Sequence, residues 1–164
     1  MKSVFLALGS NLGQREEYLR TGIRGLAARG IDLVRTASVY STEPQEVLDQ
    51  PWFLNTALEG RTDLEPDGLL RVCLAVESEC HRIRDTTKGP RTLDIDIIFY
   101  GTDIIQKPGL IVPHPSFSSR RFVLAPLAEI APDFVDPVSG KTVKELLVTC
   151  TDHSSVARIP EGTS

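Results

Sequence analysis

The run Thr92-Leu93-Asp94-Ile95-Asp96-Ile97-Ile98-Phe99-Tyr100 carries the densest chemistry in the chain. Read as a strand, its two-residue period puts Leu93, Ile95, Ile97 and Phe99 on one face and Asp94 and Asp96 on the other. The two Cα atoms then stand roughly 6.5–7 Å apart, which lets both carboxylates converge on one or two hard cations. Unpaired, these anions repel each other; a magnesium ion resolves the repulsion and supplies the Lewis acid that phosphoryl chemistry needs. The plain alternative is a solvated strand face with two surface aspartates. Gly89-Pro90-Arg91 leads directly into the strand and brings a guanidinium near the carboxylates. Arginine forks match phosphate oxygens in geometry and charge. Arg82, Arg84, Lys88 and Arg120 either add to the same field or stay solvated surface charges.

Other residues add options around this centre. His114 lies between Pro113 and Pro115, which stiffen the backbone that would hold its imidazole toward a ligand. A hydrogen-bonded or solvated loop histidine is the alternative. Glu77 sits beside an apolar helical stripe with Arg84 two turns on, a spacing that also suits a surface ion pair. Asn55 falls inside an apolar strand, where a buried amide must bond either backbone groups or the edge of a heterocycle. Phe53 and Phe122 can stack on such a ring or pack in the core. The glycine-rich turn Gly9-Ser10-Asn11-Leu12-Gly13 lacks the Gly-Lys-Ser/Thr continuation of a P-loop, so any triphosphate must be held by side chains and metal.

The elements that position these groups follow from periodicity and punctuation. Val4 to Leu8 reads as a buried strand ending at the Gly9 turn. Leu19, Ile23 and Leu26 mark a helix that Arg29-Gly30 stops. Ile31 to Tyr40 and Phe53 to Glu59 read as strands, and the stretch 41–52 between them as a candidate substrate loop. Pro66-Asp67 opens a helix with Leu69, Cys73, Val76, Cys80 and Ile83 on one stripe, followed by a second long polar loop over 82–91. After the aspartate strand come a hairpin at Gly101-Thr102-Asp103, a compact run from Arg120 to Ile130, and a last helix opened by a Thr142/Glu145 capping box. The β-α-β-β-α-β order predicts an α+β fold, a ferredoxin-like antiparallel sheet with helices packed on it, plus a C-terminal extension. Residues 1–150 are expected to form one domain and 151–164 a polar, frayed tail.

Bulk properties set bounds. A chain of 164 residues, 41% hydrophobic and 24% charged, is large enough to bury one core. A net charge of -4 argues against nucleic acid as a partner. The short apolar run near Met1 is too brief for a signal core or a spanning helix, so a cytoplasmic protein with no membrane partner is expected. Cys73, Cys80 and Cys150 show neither metal nor disulfide spacing and read as buried thiols.

Taken together, Leu8-Gly9-Ser10-Asn11-Leu12-Gly13, Tyr40-Ser41-Thr42, Asp49-Gln50-Pro51, Gly89-Pro90-Arg91-Thr92-Leu93-Asp94-Ile95-Asp96 and Val112-Pro113-His114-Pro115 resemble the 6-hydroxymethyl-7,8-dihydropterin pyrophosphokinases, over about residues 3 to 148. The resemblance implies a monomer of ferredoxin-like fold that binds ATP with two Mg2+ ions and then the pterin, releasing AMP in folate biosynthesis. Asp94 and Asp96 match the family's metal ligands. Arg82, Arg84 and Arg91 match arginines that assist transfer, and with Glu77, His114 and Arg120 they match the ATP-binding set. Thr42, Pro44, Phe53, Asn55 and Phe122 match the pterin pocket. The chain departs from common family residues at Gln45-Glu46, at Cys80-His81, at Lys88, and at Gly109 and Ile111.

Overall fold

The computed structural model of the chain describes residues 1–10, 14–43, 52–80 and 93–159 in full, and 81–83 by their helical backbone. Strand β1, Lys2–Ser10, is the centre of the fold, with β4, Phe53–Thr62, antiparallel on one side and β5, Asp94–Tyr100, antiparallel on the other. Beyond β4 lie two short strands in line, β2 (Asp32–Thr36) against its 58–61 half and β3 (Tyr40–Thr42) against its 53–55 half. The single strand expected over Ile31 to Tyr40 is therefore interrupted. Between the two pieces the Ala37 N–H still reaches the Ala57 carbonyl at 2.8 Å, so the edge stays tied to β4. With α1, Arg15–Ala27, after β1 and α2, Pro66–Ile83, after β4, the connectivity is the β-α-β-β-α-β of the ferredoxin-like fold.

Two cores follow from the alternation along β1. Val4, Leu6 and Leu8 face Leu19 and Leu26 of α1 and Leu69, Cys73, Val76 and Cys80 of α2, the stripe expected from the helical spacing. Phe5 and Ala57 face the other way, toward α3 (Arg121–Ile130) and α4 (Val143–Val148). The α4 capping box is formed, with the Glu145 N–H on Thr142 Oγ1 at 3.1 Å and the Thr142 N–H on Glu145 Oε1 at 3.0 Å.

In β5, Ile95 and Ile97 join the α1/α2 core as alternation requires, whereas Phe99 does not. The register against β1 slips between Phe5, which faces Phe99, and Leu6, which faces Ile97. Ile98 is the extra residue of a β-bulge, and the extra residue turns Phe99 to the opposite face. There Phe99 stands 5.9 Å from Phe5 and 5.1 Å from Phe117, both edge-on, and 4.6 Å from Phe134. The hairpin after β5 also falls later than expected: β6 (Ile105–Lys107) and β7 (Leu110–Val112) turn at Pro108-Gly109, where Gly109 has φ +81°. This left-handed backbone is one that glycine adopts without strain.

The C-terminal segment corrects a further expectation. Val156–Arg158, placed in a frayed tail by its polarity, forms β8 and pairs antiparallel with β3, Thr42 opposite Val156 and Tyr40 opposite Arg158. Cys73 and Cys80 are buried and free, and Cys150 is half-buried and free. Burial pushes the Cys73 thiol up to about 12, with Glu77 and Asp96 adding to the rise, so it stays protonated. Among the described residues no helix is long and apolar enough to cross a membrane.

Phe99 joins the bulged strand to the second core. Phe99→Ala is expected to lower unfolding free energy by about 3–5 kcal/mol. Leu74→Ala, at a side chain 53% exposed on α2, should change it by about 0.5 kcal/mol or less. Urea denaturation of both variants measures the contrast.

Candidate active site

The site begins with two small residues on β1. Ala7 and Gly9 share the face opposite Leu6 and Leu8, so this face of β1 loses height toward its C-terminal end. The ladders set Asp96 and Ala57 on either side of Ala7, and Asp94 and Asn55 on either side of Gly9. Helix α3 begins at Arg121 and covers the rest of this face. At the open end is a cavity of about 360 Å³, whose walls include Thr42, Phe53, Asn55, Asp94, Asp96, Arg120 and Phe122.

One end of the cavity is anionic and oxygen-rich. Asp94 and Asp96 are both half-buried on its wall. His114 follows the cis Val112–Pro113 bond, and its backbone N–H donates to the Ile98 carbonyl at 3.1 Å, fixing it beside β5. Its Nδ1 accepts the Ser116 N–H at 3.1 Å, so the ring proton resides on Nε2, 3.9 Å from Asp96 Oδ1. Burial pushes the imidazole below its ordinary pKa, Asp96 pulls it up and Arg120 pushes it down again. The net result near neutral pH is a neutral ring with an Nε2–H donor facing the carboxylates. Arg120, at the N-cap of α3, lies with its guanidinium carbon 5.8 Å from the centre of the Phe122 ring.

The other end suits a flat polar ring. Asn55 Nδ2 donates to Thr42 Oγ1 at 2.7 Å, and both residues are buried. Asn55 Oδ1 points over Gly9, where a Cβ would stand 2.5 Å from it. Half-buried Phe53 and Phe122 share the cavity wall with this amide. Of the alternatives for Asn55, the structure adopts a side-chain partner and leaves the amide at a cavity surface.

Glu77 lies on the α1/α2 side rather than on the cavity wall. Its Oε2 accepts the Ile95 N–H at 2.6 Å, between the two aspartates, and Arg84, the partner its spacing suggested, lies outside the described residues. It thereby braces the edge strand that carries both carboxylates. Arg82 falls in the last turn of α2, whose side chains from 81 onward are outside the described residues. Pro44, Arg84 and Arg91 are outside them too, with Gln45, Glu46, Lys88 and most of the two expected loops.

The residues present fit a magnesium site completed by a ligand. Among the described residues no three His, Cys, Asp or Glu groups gather closely enough to hold a metal by themselves. Magnesium is commonly held by one or two carboxylates with substrate phosphates and water supplying the rest, and Asp94 with Asp96 is such a donor pair. Sequence reasoning missed Ala7 and Gly9 as the cavity floor and Glu43 as part of its wall. The signal for the floor was present as Ala-x-Gly alternating with large residues along β1.

The family model for 7,8-dihydro-6-hydroxymethylpterin-pyrophosphokinase (HPPK) matches residues 5–132. A 2-amino-4-hydroxy-6-hydroxymethyldihydropteridine pyrophosphokinase of Methylorubrum extorquens is 42% identical over 160 residues, 97% of this chain and 99% of the relative. One from Bacillus subtilis is 44% identical over 127 residues, 77% of this chain and 76% of its own. A folic acid synthesis protein of Pneumocystis carinii is 37% identical across 97% of this chain, which spans only 22% of that longer protein. Among solved structures, wild-type HPPK-DHPS of Plasmodium falciparum superposes with a TM-score of 0.70 at 14% identity, over 90% of this chain and 44% of that one, a likeness of fold.

The floor is testable without reference to turnover. Gly9→Ala would place its Cβ 2.5 Å from Asn55 Oδ1. It is expected to break the Asn55–Thr42 bond and to destabilise the protein by about 1–3 kcal/mol. Thermal unfolding reads the loss, and a shift of the Asn55 side-chain amide signals in NMR reads the displacement.

Proposed function

Because the chain belongs to the HPPK family, we propose that it transfers the pyrophosphoryl group of ATP to the hydroxymethyl oxygen of 6-hydroxymethyl-7,8-dihydropterin and releases AMP. This is a step of folate biosynthesis, and the chain carries it out as a cytoplasmic monomer. The observation that carries the reading is the cavity in which Asp94 and Asn55 flank Gly9, with a carboxylate pair on one side and a buried amide on the other, and with Phe53 and Phe122 in the same wall.

The pterin lies with its heterocyclic edge on Asn55 and Thr42 and its face between Phe53 and Phe122, with Pro44 completing the pocket. That pose directs the hydroxymethyl group toward Asp94 and Asp96, about two strand spacings from Asn55, or ~10 Å. Asp94 and Asp96 would hold magnesium, two ions on this reading, with the phosphates supplying further oxygens. When bound, magnesium neutralises phosphate charge and acts as Lewis acid in the displacement. The pterin oxygen attacks the β-phosphorus in line, and AMP departs from the opposite side. Arg120 and the Nε2–H of His114 donate to phosphate oxygens, where charge builds on the transferred and leaving groups. Arg82, Arg84 and Arg91 add guanidinium charge from the end of α2 and the stretch that follows it. Glu77 belongs to the nucleotide side through its hold on the Ile95 N–H, which fixes the spacing of the two aspartates. No side chain in the described site is a strong general base, so positioning and charge neutralisation account for the rate.

Incubation with ATP, magnesium and the hydroxymethyl dihydropterin is expected to yield AMP and pyrophosphorylated pterin in equal amounts. Formation of ADP, or of pyrophosphate with an adenylated product, would make the protein a different phosphotransferase. Binding of both ligands without turnover would make it a noncatalytic module.

Asp94→Asn and Asp96→Asn should each lower the rate of AMP formation on the order of 100-fold or more. Chelation by EDTA should abolish turnover and added magnesium restore it. Either aspartate variant at full activity would refute the metal role.

A further inference from the structure

The cavity has two walls that belong to distant parts of the chain: Thr42 and Glu43 at the end of β3, and Arg120 and Phe122 at the start of α3. The segment 152–159 touches both. Arg120, the N-cap residue of α3, makes no side-chain capping bond, and the first N–H of the helix, that of Arg121, is instead taken by Asp152 Oδ2 at 3.0 Å. The Asp152 carboxylate is itself held, its Oδ1 accepting the Ser154 N–H at 2.9 Å and the Ser154 hydroxyl. Burial alone would raise this carboxyl, but the bonds from Ser154 and from Arg121 hold it below the ordinary range, so it is anionic at the positive end of α3. One residue beyond Ser154, the chain takes hold of the other wall. The Ser155 N–H donates to Glu43 Oε1 at 2.6 Å, the Glu43 N–H reaches the Ser155 carbonyl at 3.3 Å, and β8 continues along β3. The Ile159 N–H closes the contact on the Val39 carbonyl at 2.8 Å.

We propose that residues 152–159 form a strap that fixes the separation of the two walls on the pterin side of the cavity, with Asp152 as a positioning residue for the pterin. This rests on the pyrophosphokinase reading of the site. Asp94 and Asp96 are on β5, at the far edge of the sheet from β8, and the bonds of the strap given above run to α3 and β3. Loosening the strap therefore acts first on the walls built by β3 and α3, which carry Thr42 and Phe122 and, of the phosphate-binding groups, Arg120. Loss of Asp152 frees the first turn of α3, and with it Phe122 and the neighbouring Arg120, while β5 and its carboxylates stay in register.

The test measures both Michaelis constants in the full chain. Asp152→Ala is expected to raise KM for the hydroxymethyl dihydropterin about fivefold to tenfold, with a smaller rise for ATP, about threefold or less, through Arg120, and kcat changed by about twofold or less. Asp152→Asn keeps an acceptor oxygen and should return the pterin KM to within about twofold of the unmutated protein. Ser155→Pro removes the N–H that Glu43 accepts and should shift the same constant in the same direction; it supplies the reading should Asp152→Ala fail to fold. A rise for ATP as large as that for the pterin, a rise for ATP alone, or no change in either would overturn the strap. An unmutated protein that forms no AMP would overturn the reading of the function, an outcome distinct from an active enzyme whose strap variants leave the pterin KM unchanged.

Discussion

The site depends on a shortage of side chain at the end of one strand. Gly9 and Ala7 leave an opening in the face of the sheet that β1 would otherwise fill, and the antiparallel ladders place Asp94 and Asp96 on one side of it and Asn55 and Ala57 on the other. The distance from Asp94 to Asn55 is set by strand spacing, a quantity that the ladder hydrogen bonds hold within narrow limits. A reaction that joins a phosphate chain to a ring needs the two held at a constant separation, and a sheet supplies it without flexible parts. The floor is matched to Gly9, because a Cβ there would stand 2.5 Å from the Asn55 side-chain oxygen and force the amide to move.

The rest of the fold protects this arrangement unequally on its two faces. Helices α1 and α2 seal one face with Leu19, Leu26, Leu69 and Val76, a continuous apolar layer. Glu77 enters the edge of that layer to take the Ile95 N–H, so the edge strand bearing the carboxylates is braced from behind. On the other face α3 and α4 cover Phe5, Ala57 and the Phe99 cluster, and among the described residues the sheet beyond Arg121 stays open as the cavity. The Ile98 bulge serves both faces at once, sending Phe99 into the second core while Tyr100 remains with the first.

A second theme is the bracing of β3, the short strand that carries Thr42. Glu129 of α3 accepts the Ser38 N–H at 3.1 Å and the Tyr40 hydroxyl at 2.7 Å, tying the break between β2 and β3 to the helix above it. Burial, followed by the bond to Glu129, pushes Tyr40 up to about 12, so the phenol remains a donor. On the outer edge β8 covers β3, which removes an open strand end beside the cavity. Three elements distant in sequence thus hold a three-residue strand whose own contacts would be too few.

The central chemistry was legible in the chain itself because it is local. Asp94 and Asp96 two residues apart in an apolar run define a strand with a polar face, and Leu69, Cys73, Val76 and Cys80 define a helix and its buried side, whatever surrounds them. Asn55 was visible for the same reason, as an amide where the pattern demands an apolar residue. What the tertiary structure decided is everything that depends on who stands opposite. The bulge that turns Phe99 arises from pairing with β1, not from β5's own alternation. The role of Glu77 arises from the N–H that α2 happens to face. The strand at Val156–Arg158 looked too polar to be ordered, because an edge strand takes its stability from backbone bonds to β3, which composition does not record.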